Sequence, residues 1–185
     1  MRASWKIGGL AVVCALVMAA PTSAQYVWVG GGPTFPMSDY GNKDLTGAKT
    51  GYLITGGVGM PVGEQGLSVY AEGFFGQNNH ETSGEQTTPY GALLGLEFDF
   101  AGKDVDQSLY VSGGVGLLVH RYNDGSSTSS SSGLGLSGGL GYYFPLGSMH
   151  GFVEGRIFQA RIDSENTMFS GIMAGISIPV GQSNN

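Results

Sequence analysis

Cysteine, lysine and long apolar runs are all scarce in this chain, and each shortage excludes something. The one cysteine, Cys14, falls within the first 24 residues, MRASWKIGGLAVVCALVMAAPTSA. That stretch has the pattern of a secretory signal. Arg2 and Lys6 form a positive start, Ile7 to Ala20 an apolar middle, and Thr22-Ser23-Ala24 a small-residue site ahead of Gln25. The apolar middle is shorter than the ~20 residues of a spanning helix, so cleavage rather than anchoring is expected. The Ala11-Val12-Val13 run before Cys14 lacks a lipoprotein-type context. A mature chain of residues 25–185 would then be one domain without cysteine, which excludes disulfides and a thiolate metal site.

Beyond the leader the only lysines are Lys43, Lys49 and Lys103. Losing Arg2 and Lys6 takes the formal charge from −6 to −8, the wrong sign for a nucleic-acid partner. No apolar run in residues 25–185 reaches the ~18 residues of a membrane helix, and no stretch holds a helical period. If the mature chain crosses a bilayer, it must do so as a closed barrel.

Glycine, by contrast, is plentiful, 34 of 185 residues, and it punctuates short alternating runs as strands require. Eight such runs are expected, at about 25–33, 50–61, 66–76, 89–100, 108–121, 132–144, 150–161 and 168–180. Their connections sort by length. TFPMSDYGNKDLTGAK, GQNNHETSGEQTT and YNDGSSTSSSSG are long and polar, with the serine tract expected to be a flexible loop tip. PVGEQ, AGKDVDQ and PLGSMH are short, as is DSENT on the long side. Long loops on one side, tight turns on the other, and both termini on the tight-turn side describe an antiparallel, up-and-down transmembrane β-barrel, all-β and eight-stranded.

The faces of those strands are unlike. Ala92, Leu94, Leu96 and Phe98, then Leu109, Val111, Val115, Leu117 and Val119, then Leu134, Leu136 and Leu140, then Ile172, Ala174, Ile176 and Ile178 form one face. The opposite face is mostly Gly and Ser. A water-exposed surface would be dense in Lys and Glu, so the Gly/Ser face is expected to fill a narrow lumen and the apolar face to meet lipid. Outward aromatics are expected to gather in two girdles at the interfaces. Tyr26, Trp28, Phe98, Phe100, Tyr142 and Phe144 would ring the periplasmic edge, and Tyr52, Phe75 and Tyr90 the outer edge.

Glu72, Glu97, Glu154 and Arg156 project inward at similar depth and are expected to form a lumen polar network that plugs the barrel. Three carboxyls face one guanidinium, so at least one should be protonated or meet water or Tyr70. His80 and His120 lie near Glu81, Ser83 and Asp124, but no spacing implies a nucleophile with an orienting acid, so no catalytic residues are assigned. GGGP at 30–33 lacks a phosphate-cradle spacing. Asp104, Asp106, Asp163 and Glu165 are expected to be solvated turn acids rather than a metal site, and His150 a solvated turn residue. No cofactor is implied.

The first hairpin, VWVGGGPTFPMSDYGN followed by AKTGYLITGGVGMPV, the strand YVSGGVGLLVHRY, and FVEGRIFQARID leading into SGIMAGISIPV resemble the small outer-membrane β-barrel proteins, the group of OmpA-, OmpX- and opacity-type barrels. The resemblance covers the whole mature chain. It implies a bacterial outer-membrane location, lipid as the surrounding partner, and a structural or surface-interaction role. One departure stands out: members commonly end on an aromatic strand residue, whereas this chain closes with IPVGQSNN. The expectation is a monomer that contacts an external ligand or surface through loops 34–49, 77–88 and 122–132. The alternatives are a secreted lipocalin-like barrel holding an apolar ligand and an outer-membrane lipid-modifying enzyme.

Overall fold

The alternation of apolar and small residues resolves into strands that close on themselves. The computed structural model describes residues 25–44, 47–63, 65–102, 107–162 and 165–180. The expected leader, and Asp104, Asp106 and Asp163, lie outside the described residues. The strands are β1 Gln25–Met37, β2 Gly51–Pro61, β3 Leu67–Asn79, β4 Gln86–Asp99, β5 Ser108–Asn123, β6 Thr128–Leu146, β7 Met149–Ile162 and β8 Glu165–Val180. A helical turn, α1 Ser38–Gly41, follows β1. Each strand pairs antiparallel with its sequence neighbours, and β8 pairs with β1, so the barrel has no free edge. Where the ladders are continuous around the wall, strand N–H and C=O groups are satisfied without water, the condition for crossing hydrocarbon.

Pairing partners spiral around the wall. From Trp28 they run through Gly57, Glu72, Leu93, Gly116, Gly135, Ala160 and Thr167, returning to the β1 side at Ser38, ten residues farther along. That stagger is the tilt a closed barrel needs. The apolar face points out: Leu94, Leu96, Val115, Leu117, Leu134, Leu136, Leu140 and Ile172 are all exposed, Leu134 at 70%. Leu93, Leu118, Phe158, Phe169 and Met173 fill the lumen instead.

Three expectations need correction. Strands run past their expected ends on the long-loop side, so the hairpins stand above the barrel and the connections shrink to residues 38–50, 80–85 and 124–127. Most of the serine tract is not a loop tip: only Ser126 and Ser127 lie in the connection, while Thr128 to Ser132 pair with Asn123 to Val119 as the top of β6. Serine alternation carries no apolar signal to announce a strand, so only pairing with β5 reveals it. Finally, Tyr26 and Trp28 do not join the periplasmic girdle. On β1 the outward positions are the odd ones, with Val29 and Phe35 exposed, while Thr34 on the even side is fully buried. Both rings therefore enter the lumen. The space for them comes from Gly57 and Gly59 on β2, where a Cβ would collide with the rings of Trp28 and Tyr26 respectively.

Candidate functional site

Inside the barrel the polar residues lie at several levels, and each is held by strands on different walls. Arg156 on β7 reaches across to β3, where its Nη1 donates to Glu72 Oε2. Its Nε and Nη2 donate to the two oxygens of Glu154 at 3.0 and 2.8 Å. The two residues share a face because they are two apart on one strand. Ser112 on β5 donates its hydroxyl to Glu154 at 2.7 Å. The guanidinium carbon lies 5.9 Å from the centre of the Phe158 ring, a cation–π distance. All three charged side chains are almost wholly buried.

Glu97 is not part of that cluster. Its carboxylate accepts from the hydroxyl of Tyr143, 3.2 Å from both oxygens. The sequence pointed to Tyr70 as a phenolic partner for surplus acid; in the structure that partner is Tyr143, whose ring stacks on Tyr110 at 4.4 Å. Tyr70 instead meets the edge of Trp28 at 5.7 Å. Trp28, Tyr70, Tyr110, Tyr143 and Phe152 crowd around Glu97, Glu154 and Arg156, leaving a void of about 10 Å³, space for roughly one water. The adjacent strand makes room for each ring: a Cβ at Gly95 would collide with its pairing partner Tyr70, and one at Gly141 with its pairing partner Tyr110.

The outer mouth has a separate plug that sequence reasoning missed. Turn α1 folds back over the lumen and buries Tyr40 to 3%. The Tyr40 hydroxyl donates to Asn78 Oδ1 at 3.1 Å, and Asn78 Nδ2 donates to Thr34 Oγ1 at 2.9 Å and to the Lys49 carbonyl at 2.8 Å. The Tyr40 ring lies 4.8 Å from His120 and 6.3 Å from Phe169. Asp39 accepts from the Asn166 amide at 2.9 Å, anchoring the turn to β8. Ser38 holds a left-handed φ of 52° to enter the turn, a conformation uncommon for a residue with a side chain. The signal that could have revealed this cap is Tyr40 itself, the one aromatic in the connection 38–50.

The two loop-side histidines sit within the barrel mouth. His80 is buried, with Nε2 hydrogen-bonded to Thr87 Oγ1 at 2.7 Å, and His120 packs on Tyr40. Glu81 ion-pairs with Lys49 at 3.2 Å and Lys43 at 3.6 Å, and Lys49 first, then Lys43, holds its carboxyl below the usual range. Asp124 is also lowered, chiefly by the backbone N–H groups of Ser127 and Ser126. His150, expected as a solvated turn residue, is half-buried beside Tyr143 at the start of β7.

On the outside, Tyr52, Phe75 and Tyr90 are exposed toward the loop end, joined by Phe35, which sequence reasoning had not included. Phe98, Phe100 and Tyr142 are exposed toward the turn end, Phe98 and Phe100 in edge contact at 5.4 Å, and Phe144 lies over Gly151.

A closed, tilted, side-chain-filled barrel with an apolar outer belt defines an integral outer-membrane protein of the small up-and-down class. The chain belongs to the outer membrane protein beta-barrel domain family, whose model matches residues 10–176, and its location is the bacterial outer membrane. No curated protein matches the sequence. Among solved structures, Neisserial surface protein A (NspA) is similar with a TM-score of 0.68 and 14% identity, covering 86% of this chain and 99% of its own. The N-terminal barrel domain of Pseudomonas aeruginosa OprF matches with a TM-score of 0.52 and 12% identity over 85% of this chain and 100% of its own. Ail, the attachment invasion locus protein of Yersinia pestis, solved with the heparin analogue sucrose octasulfate, gives 0.50 and 15% over 84% and 99%.

Proposed function

We propose that this barrel is a surface-contact protein of the envelope, acting as a monomer without enzymatic activity after removal of residues 1–24, and that its outer hairpins do the contacting while the lumen is closed. The observation that supports this most is the double plug: the Arg156–Glu72–Glu154 cluster spans opposite walls, and Tyr40 closes the mouth above it. Nothing of substrate size passes such an interior, so contact falls to the polar tips at 80–85 and 124–127 and the connection 38–50. Polar segments carried on a rigid scaffold are where binding commonly resides. The outward aromatics, seven of the nine first expected plus Phe35, set the height of the barrel in the bilayer. The likeness to Ail supports an adhesive role through shared fold. A sulfated polyanion suits this chain less well, because Lys43 and Lys49 are already paired with Glu81.

The test is fractionation with protease shaving of intact cells, followed by adhesion to host-cell matrix. The chain should sediment with outer membranes and be cut at its tips. Replacing 80–85 and 124–127 by short glycine-serine turns should sharply weaken any adhesion the intact barrel confers while leaving heat-modifiable mobility on gels. Adhesion undiminished by the replacement, or solute flux through the purified barrel in vesicles, would contradict the proposal.

A further inference from the structure

The strands sort their charge by face. Among the described side chains, Glu72, Glu97, Glu154 and Arg156 point into the lumen, whereas the outward face carries just two charges, Arg121 on β5 and Arg161 on β7. Both are exposed, both are cations, and both lie near the loop end. Arg121 is one outward position above Val119, the pairing partner of the exposed Tyr90. Arg161 is two outward positions above the lipid-facing Ile157. Neither has an ion-pair partner among the described residues, in contrast to Lys43 and Lys49, which Glu81 takes up.

The strand between them supplies hydroxyls. Ser130 pairs directly with Arg121, and Ser132 with Val119; both serines are exposed on the same outward face. Arg161 stands one step beyond the Gly135–Ala160 pair, beside Leu134. Pairing climbs the wall from β5 to β7, while four residues down β6 descend it, so the tilt brings the two guanidiniums to similar height on either side of the serines. The result is a cation–hydroxyl–cation face on three adjacent strands, at the level where the upper aromatics mark the headgroups.

We infer that this face binds the phosphate groups of an anionic lipid in the outer leaflet. Guanidinium offers paired N–H donors that match phosphate oxygens, serine hydroxyls add further donors, and unpaired cations are tolerated on the outward face of a barrel only near an interface. The acidic tips above and the neutral apolar belt below leave the headgroup layer as the source of matching anions. The serine tract acquires a role here, since its small side chains let the headgroup approach the wall between the arginines. The inference goes beyond the adhesive role proposed for the tips and does not depend on it.

The test refolds the mature chain into phosphatidylcholine vesicles holding either diphosphorylated lipid A or the same lipid stripped of its phosphates. The quantity measured is the lipid that stays with the barrel after extraction into mild detergent. The wild type should keep the phosphorylated form preferentially. Arg121→Gln with Arg161→Gln should weaken that retention about thirtyfold, roughly fivefold for each near-surface cation, while Arg121→Lys with Arg161→Lys should keep part of the preference. Equal retention of both lipids by the wild type would overturn the inference, as would undiminished retention by a folded Gln double variant. So would loss of the preference on adding inorganic phosphate, which would mark a soluble-anion site. The two-lipid comparison needs no variant, so a Gln double variant that fails to refold leaves the test decisive.

Discussion

Arg156 ties two opposite walls of the interior together through Glu72 on β3 and Glu154 on β7. It neutralises two carboxylates that would otherwise be buried without a cation, and removing one partner of such a set is far more damaging than replacing the whole. Arg156→Met should therefore destabilise the folded barrel by about 3–5 kcal/mol, measured by urea unfolding in vesicles, whereas Arg156→Met combined with Glu72→Gln and Glu154→Gln should recover much of the loss. A single variant as stable as the parent would mean the cluster is not closed as described. At the rim, Glu81 makes the link between the first two connections dependent on pH. Its folded-state carboxyl is lowered, so the link contributes fully above the ordinary glutamate range near ~4.3 and is lost as pH falls through the lower folded value. Nuclear Overhauser contacts across the Ala48–His80 bridge should persist at neutral pH and weaken in acid; contacts unchanged at about pH 3 would show that Glu81 does not hold the link.

At the scale of the strand, the faces of β4, β5, β6 and β8 were legible because their two sides differ in kind, branched or aromatic against glycine and serine. The same contrast predicts that Leu94→Arg, exposed and mid-strand, destabilises the inserted barrel by roughly 2–4 kcal/mol, read from unfolding midpoints in vesicles; an unchanged midpoint would place Leu94 off the lipid face. β1 was not legible in this way. Tyr26, Trp28, Val27 and Val29 are all apolar, so alternation cannot choose a side, and the information sits on β2 as Gly57 and Gly59. The polar cluster was half legible: Glu72, Glu154 and Arg156 were placed together, but the partner of Glu97 was not, because Tyr143 lies 46 residues away on β6 and only the closed register brings it near. Strand ends were the least legible, since Ser, Thr and Asn in the hairpin tops look like loop. The outward Gly138 and Gly155 remain without a packing reason, as a Cβ there would meet nothing within 4 Å.

For the molecule as a whole, the tilt of the wall, the filled axis and the oily exterior are one construction. A stagger of ten residues leaves a lumen narrow enough for side chains to fill, and small inward residues let large rings cross it. The same inversion of a soluble protein, polar within and apolar without, assigns the exterior to hydrocarbon. The mature chain offers a direct probe of this, because Trp28 would be its one tryptophan and it faces inward. In vesicles of lipids brominated on their acyl chains, which quench tryptophan on contact, Trp28 should keep most of its fluorescence. A Trp28→Phe, Leu94→Trp variant should be strongly quenched. Strong quenching of Trp28 with a bright tryptophan at position 94 would reverse the two faces and contradict the account.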